Sequence, residues 1–101
     1  MINLNGKWAF VTGASRGVGT HIATALADLG CNLVLHSRSK EHTLGLAARL
    51  KEKGISVISV AAEFNDQNRV DAVLDDILAQ VPRIDILFNN AAIMTPYRTN
   101  P

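Results

Sequence analysis

The segment Thr12-Gly13-Ala14-Ser15-Arg16-Gly17-Val18-Gly19 constrains this chain more than any other, because it fixes where a strand stops and a helix begins. Before it, Trp8 to Thr12 is a short apolar run closed by Gly13, as a buried strand would be. After it, Val18, Ile22, Ala25, Leu26 and Leu29 recur at helical spacing, and Gly30 supplies a stop. A sharp turn out of the strand needs backbone freedom at Gly13. At Gly17 the missing Cβ leaves room for a close approach by a phosphate group, and Gly19 lets the helix lie tightly on a sheet. The helix start aims unpaired N–H groups and a partial positive charge at the same place. The spacing is G-x-x-x-G-x-G, which fits neither G-x-G-x-x-G nor G-x-x-x-x-G-K-[ST].

The rest of the chain repeats the alternation. Leu33-Val34-Leu35 reads as a second buried strand. Ser39 is the expected cap of a helix running to about Lys53, with Leu44, Ala47 and Leu50 facing inward and Gly54 ending it. Ile55 to Ala61 is the third strand, rich in β-branched residues. Asn65 or Asp66 then caps a helix whose inner face carries Val70, Val73, Leu74, Ile77 and Leu78, with Pro82 marking its end. Ile84, Ile86, Leu87 and Phe88 form the fourth strand. Strands joined in turn by helices imply right-handed crossovers and a parallel sheet. The expected fold is therefore an α/β, Rossmann-like doubly wound sheet of order 3-2-1-4, with residues 1–101 forming part of one domain.

Composition excludes several classes. Lys plus Arg is 10 and Asp plus Glu is 9, a balance that argues against nucleic acid or an acidic membrane as partner. No apolar run approaches the roughly 18 residues of a membrane span. The lone Cys31 forms no internal disulfide and points to a reducing, cytoplasmic setting; before its apolar run it reads as a small buried hydrophobe. His36 alternates with apolar neighbours and reads as a structural histidine rather than an adenine contact, while His21 and His42 look like helix-surface residues. They make no metal-ligand cluster.

Thr-Gly-x-x-x-Gly-x-Gly after an N-terminal strand resembles the cofactor loop of the short-chain dehydrogenase/reductase family. Asn89-Asn90-Ala91-Ala92 resembles that family's Asn-Asn-Ala-Gly, and Ile84 to Phe88 its apolar lead-in, so the resemblance covers essentially the whole chain. It implies a nicotinamide dinucleotide held by Gly13, Ser15, Arg16, Gly17, Val18 and Gly19 of the loop. Glu63, where the family usually has Asp, would meet the adenine, with Phe64 beside it. Asn89, Ala91 and Ala92 would line the ribose and the approach to the nicotinamide, and Asn90 would fix the central strands.

The end of the second strand separates the two nicotinamide cofactors. A carboxylate there binds the ribose hydroxyls of NAD and repels the 2′-phosphate of NADP. The family's acid position is Ser37, followed at once by Arg38, with Arg16 in the loop. Two guanidiniums suit a phosphate, so NADP(H) is expected over NAD(H), with NAD(H) still admitted.

The reaction implied by the resemblance is hydride transfer between the cofactor and a carbonyl or alcohol substrate. The family performs it with a Ser and a Tyr-x-x-x-Lys pair. The single tyrosine, Tyr97, has no Lys four positions on, so no catalytic residue is assigned. The expectation is a fragment of a longer enzyme whose members commonly form dimers or tetramers, with an open edge at the fourth strand. The alternative is a nucleotide-binding module without turnover.

Overall fold

The computed structural model describes residues 2–15, 17–62 and 67–89, with side chains in the last stretch from Asp71 on. Four parallel strands, β1 (Trp8–Thr12), β2 (Asn32–Ser37), β3 (Val57–Ala61) and β4 (Ile86–Asn89), make one sheet of order β3-β2-β1-β4. This is the expected Rossmann-like order. The connecting helices are α1 (Gly17–Asp28), α2 (Leu44–Lys51) and α3 (Gln67–Gln80), with a 3-10 turn at Lys40–His42.

Strand alternation sorts the core onto two faces. Ala9, Val11, Leu33 and Leu35 pack with Ala23 and Ala27 of α1 and with Leu46, Ala47 and Leu50 of α2. Phe10 and Val34 pack on the other face with Ile77 of α3 and Val81. Helices therefore cover both faces, and β1 and β2 are apolar on both, as the continuous runs Ala9-Phe10-Val11 and Leu33-Val34-Leu35 require. Each of the larger buried side chains contributes about 1.5–3 kcal/mol over exposure. Phe10, 1% exposed, is the residue whose loss would open the largest hole on the α3 face.

Helix faces depart from the sequence expectation in three places. The α1 surface against the sheet is Gly19, Ala23 and Ala27, small residues at a spacing of four, while Val18 is exposed and Leu26 half-buried. Small residues let helix and sheet approach closely, and the larger ones flank the contact. In α2, Leu46 joins Ala47 and Leu50 in facing inward; Leu44, the first residue of the helix, is exposed, and Thr43 before it is fully buried. Ser39 donates its hydroxyl to Glu41 instead of capping, and Thr43, fully buried, stands at the start of α2. In α3, Ile77 is buried and Val73 and Leu74 are partly buried, whereas Leu78 is exposed. The expected caps Asn65 and Asp66 and the side chain of Val70 lie outside the described residues.

β1 pairs with β2 through Val11↔Leu35 and with β4 through Thr12↔Asn89, while β2 continues to Ser37↔Ala61. The chain leaving β1 at Gly13 therefore runs alongside the last residues of β2. That offset places the glycine loop at the carboxyl ends of the strands, where open α/β sheets bind ligands. Among the described residues no helix is long and apolar enough to cross a membrane.

Candidate functional site

Gly13 leaves β1 with φ +61°, a conformation that glycine adopts without a Cβ clash. Its N–H donates to His36 Nδ1 at 3.0 Å, and the next amide, Ala14, donates to the His36 carbonyl at 2.8 Å. From the other side, Thr20 on α1 donates its hydroxyl to the Ala14 carbonyl at 2.8 Å. Thr12, the last residue of β1, donates to Asn89 Oδ1 of β4 at 2.9 Å. The loop entrance is thus fixed from β2, α1 and β4 by directed bonds, with the Ala14 methyl buried in the apolar core beside them.

Gly17 begins α1 with φ +63°, and a Cβ built there would meet nothing within 4 Å. The backbone at Gly17 is exposed to open space. Such an open, glycine-lined helix start is suited to an anion, whose oxygens can approach the backbone closely. Ser15 is partly buried, Val18 is exposed at 58%, and Gly19 is buried against the sheet.

Ser37 ends β2 at 2% exposure and donates its hydroxyl to the Ser39 carbonyl, which holds the bend after the strand. Arg38 follows, exposed. Asn89 stands exposed at the end of β4, and its carbonyl oxygen is already taken by Thr12. The role of fixing the central strands, expected for Asn90, is therefore performed at least by its neighbour. Arg16, Glu63, Phe64, Asn90, Ala91, Ala92 and Tyr97 lie outside the described residues.

His36 is the residue whose place in the site the sequence did not disclose. It is 3% exposed, and burial pushes its pKa below the ordinary 6.5, opposed by its bond to the Ala62 carbonyl. The other shifted groups serve the scaffold. Burial, then the charge of Asp85, raises the Cys31 thiol above its usual value of 9.0, so it stays protonated and inert. Asp85, before β4, is held below the usual 3.8, first by the Trp8 amide and, against some desolvation, by Arg83 and then Lys7.

A hollow among the described residues lies at the opposite end of the sheet, lined by Ile2, Asn5, Asp28, Leu29, Gly30 and Lys53. Its wall carries the Asp28–Lys53 ion pair at 2.6 Å and no glycine-loop amides. The strand carboxyl ends are the better-built place for an anion.

A parallel sheet of this order with a glycine loop after β1 defines a Rossmann-like domain. The family model described as short chain dehydrogenase matches residues 7–100, and the chain belongs to that family. It is 38% identical over 88 residues to the 3-oxoacyl-[acyl-carrier-protein] reductase FabG of Staphylococcus aureus, covering 86% of this chain and 36% of that protein. The L-sorbose reductase of Gluconobacter frateurii, solved with NADPH and L-sorbose, aligns with a TM-score of 0.82 and 37% identity over 90% of this chain and 35% of its own. A metagenomic short-chain oxidoreductase solved with NADP aligns at 0.78 and 34% identity, over 83% of this chain and 38% of that one. The chain thus spans little more than a third of the length of these relatives.

Proposed function

We propose that this chain is the NADP(H)-binding portion of a short-chain dehydrogenase/reductase that transfers hydride between the cofactor and a carbonyl or alcohol. The observation that carries the reading is the end of β2. Ser37 stands where an acid would select NAD, its hydroxyl is turned into the bend, and the exposed Arg38 comes next. The relatives solved with NADP or NADPH support the choice of cofactor.

The open space at Gly17 fits a pyrophosphate, which the glycine loop and the start of α1 would hold, with Ser15, Arg16, Val18 and Gly19 around it. Arg38, with Arg16, would hold the 2′-phosphate; Glu63 and Phe64 would border the adenine; Asn89, Ala91 and Ala92 would border the ribose and nicotinamide approach. The bound cofactor supplies the hydride donor or acceptor. This chain's own part is to bind and orient it. No Tyr-x-x-x-Lys occurs in the 101 residues, so the hydride transfer is proposed for a parent of the relatives' length.

The test is a calorimetric titration of the full chain with NADPH and then NADH. Saturable NADPH binding with weaker NADH supports the reading. A hydrogen bond to a charged group contributes about 1.5–3 kcal/mol, so Arg38→Asp should weaken NADPH by roughly tenfold or more and NADH far less. Equal losses would remove Arg38 from the 2′-phosphate, and a folded chain that takes neither cofactor would overturn the function.

A further inference from the structure

His36 lies one residue before the end of β2, at the close of an otherwise apolar run, and both of its ring nitrogens have partners. The Gly13 amide can only donate, so Nδ1, at 3.0 Å, accepts and carries no proton. The neutral ring then carries its proton on Nε2, which donates to the Ala62 carbonyl at 2.9 Å. The two partners fix the tautomer between them. Around this bridge the backbone repeats the same connections: Ala14 N–H reaches the His36 carbonyl, and Ala62 N–H reaches the Ser37 carbonyl at 3.1 Å.

One imidazole therefore joins two segments that are 23 and 26 residues away along the chain. The first is the entrance to the glycine loop. The second is the exit of β3, next to Glu63. The bridge needs an acceptor and a donor on one compact, neutral side chain. A carboxylate offers no proton to Ala62, and Lys or Arg offers no acceptor to Gly13. Burial favours the neutral form, which is the form the two bonds require.

We infer that His36 is a positioning residue for the dinucleotide: it sets the glycine loop through the Gly13 amide and couples that setting to the β3 exit. The inference rests on the proposed cofactor site. It concerns no contact between His36 and the cofactor. Two substitutions divide its functions, because the Asn side-chain oxygen falls near the Nδ1 position and the Gln amide nitrogen near Nε2. His36→Asn keeps an acceptor for Gly13 and gives up Ala62; His36→Gln keeps the donor to Ala62 and gives up Gly13.

The experiment compares wild type, His36→Asn and His36→Gln in the full chain by amide hydrogen exchange at Gly13 and by NADPH titration. Protection of the Gly13 amide should survive in His36→Asn and fall in His36→Gln. With the hydrogen bond of the partly buried Gly13 amide to the ring lost, NADPH affinity should drop roughly tenfold in His36→Gln, and about threefold in His36→Asn. Nitrogen NMR of wild-type His36 should show the proton on Nε2; a proton on Nδ1 overturns the inference without any variant having to fold. Equal losses of affinity in both variants, with wild type binding NADPH, overturn it and leave the cofactor site standing. Wild type that shows the exchange difference but takes no NADPH overturns the proposed function, and with it the positioning role, while His36 keeps its loop contact.

Discussion

The two ends of β1 are held by the same device in opposite electrostatic form. At the amino end, Trp8 N–H donates to Asp85 Oδ2 at 2.9 Å, and Asp85 N–H returns a bond to the Trp8 carbonyl at 2.8 Å. Arg83 braces that carboxylate at 2.9 Å and also reaches the Gly6 carbonyl. At the carboxyl end, Gly13 N–H donates to the neutral ring of His36. The Asp85 clamp is exposed and His36 is buried, which explains the choice of acceptor. A carboxylate in water keeps its charge at little cost, whereas a buried one must be desolvated. A negative charge beside the glycine loop would also repel a phosphate. The scaffold end uses an ion, and the end proposed to bind the cofactor uses a neutral ring.

The strongest way to break this comparison is to remove both acceptors in turn. His36→Leu leaves the Gly13 amide and the Ala62 carbonyl without the ring in a buried place, and should lower stability by about 2–5 kcal/mol in urea unfolding. Asp85→Leu should cost less, because water replaces the carboxylate at Trp8, and should leave NADPH affinity unchanged. If Asp85→Leu is the more damaging, burial does not govern the difference. A smaller effect sharpens the picture at the loop itself. Gly17→Ala adds a methyl to open space at φ +63°, so its folding cost is the left-handed strain alone, about 1 kcal/mol. NADPH and NADH titrations should both weaken.

The smallest effect is in pH dependence. His36 has a folded pKa below its unfolded value, so the unfolded chain binds the extra proton first. Its contribution is present above the ordinary 6.5 and is lost as pH falls below that value toward the depressed folded pKa. Asp85 is also depressed, and its contribution is lost only as pH falls below 3.8 toward its folded pKa. Unfolding measured across acid pH should show two separate declines, and His36→Asn should abolish the upper one alone.

The strands were legible because β1 and β2 are buried on both faces and therefore apolar without interruption. The glycine loop was legible for a related reason: positive φ at Gly13 and Gly17 is a local demand that only a few residues meet. Helix faces were less so. Leu44 and Leu78 look like core residues by spacing, but Thr43 is the residue buried at the start of α2, and the seating of α3 on Phe10 and Val34 covers Ile77 rather than Leu78. Likewise Ser39 has the chemistry of a cap, yet Glu41 claims its hydroxyl.

Sequence alone determined the alternation of strand and helix, with the sheet order it implies, and the place of the loop, since these follow from periodicity and from residues near one another in the chain; the family came from the resemblance of two motifs, Thr12 to Gly19 and Asn89 to Ala92. Only the tertiary structure decided what His36 does. Its partners, Gly13 and Ala62, come within 3 Å of the ring only when β1, β2 and β3 are laid in register. A hydrogen bond depends on distance and direction in space, and no spacing along the chain encodes either.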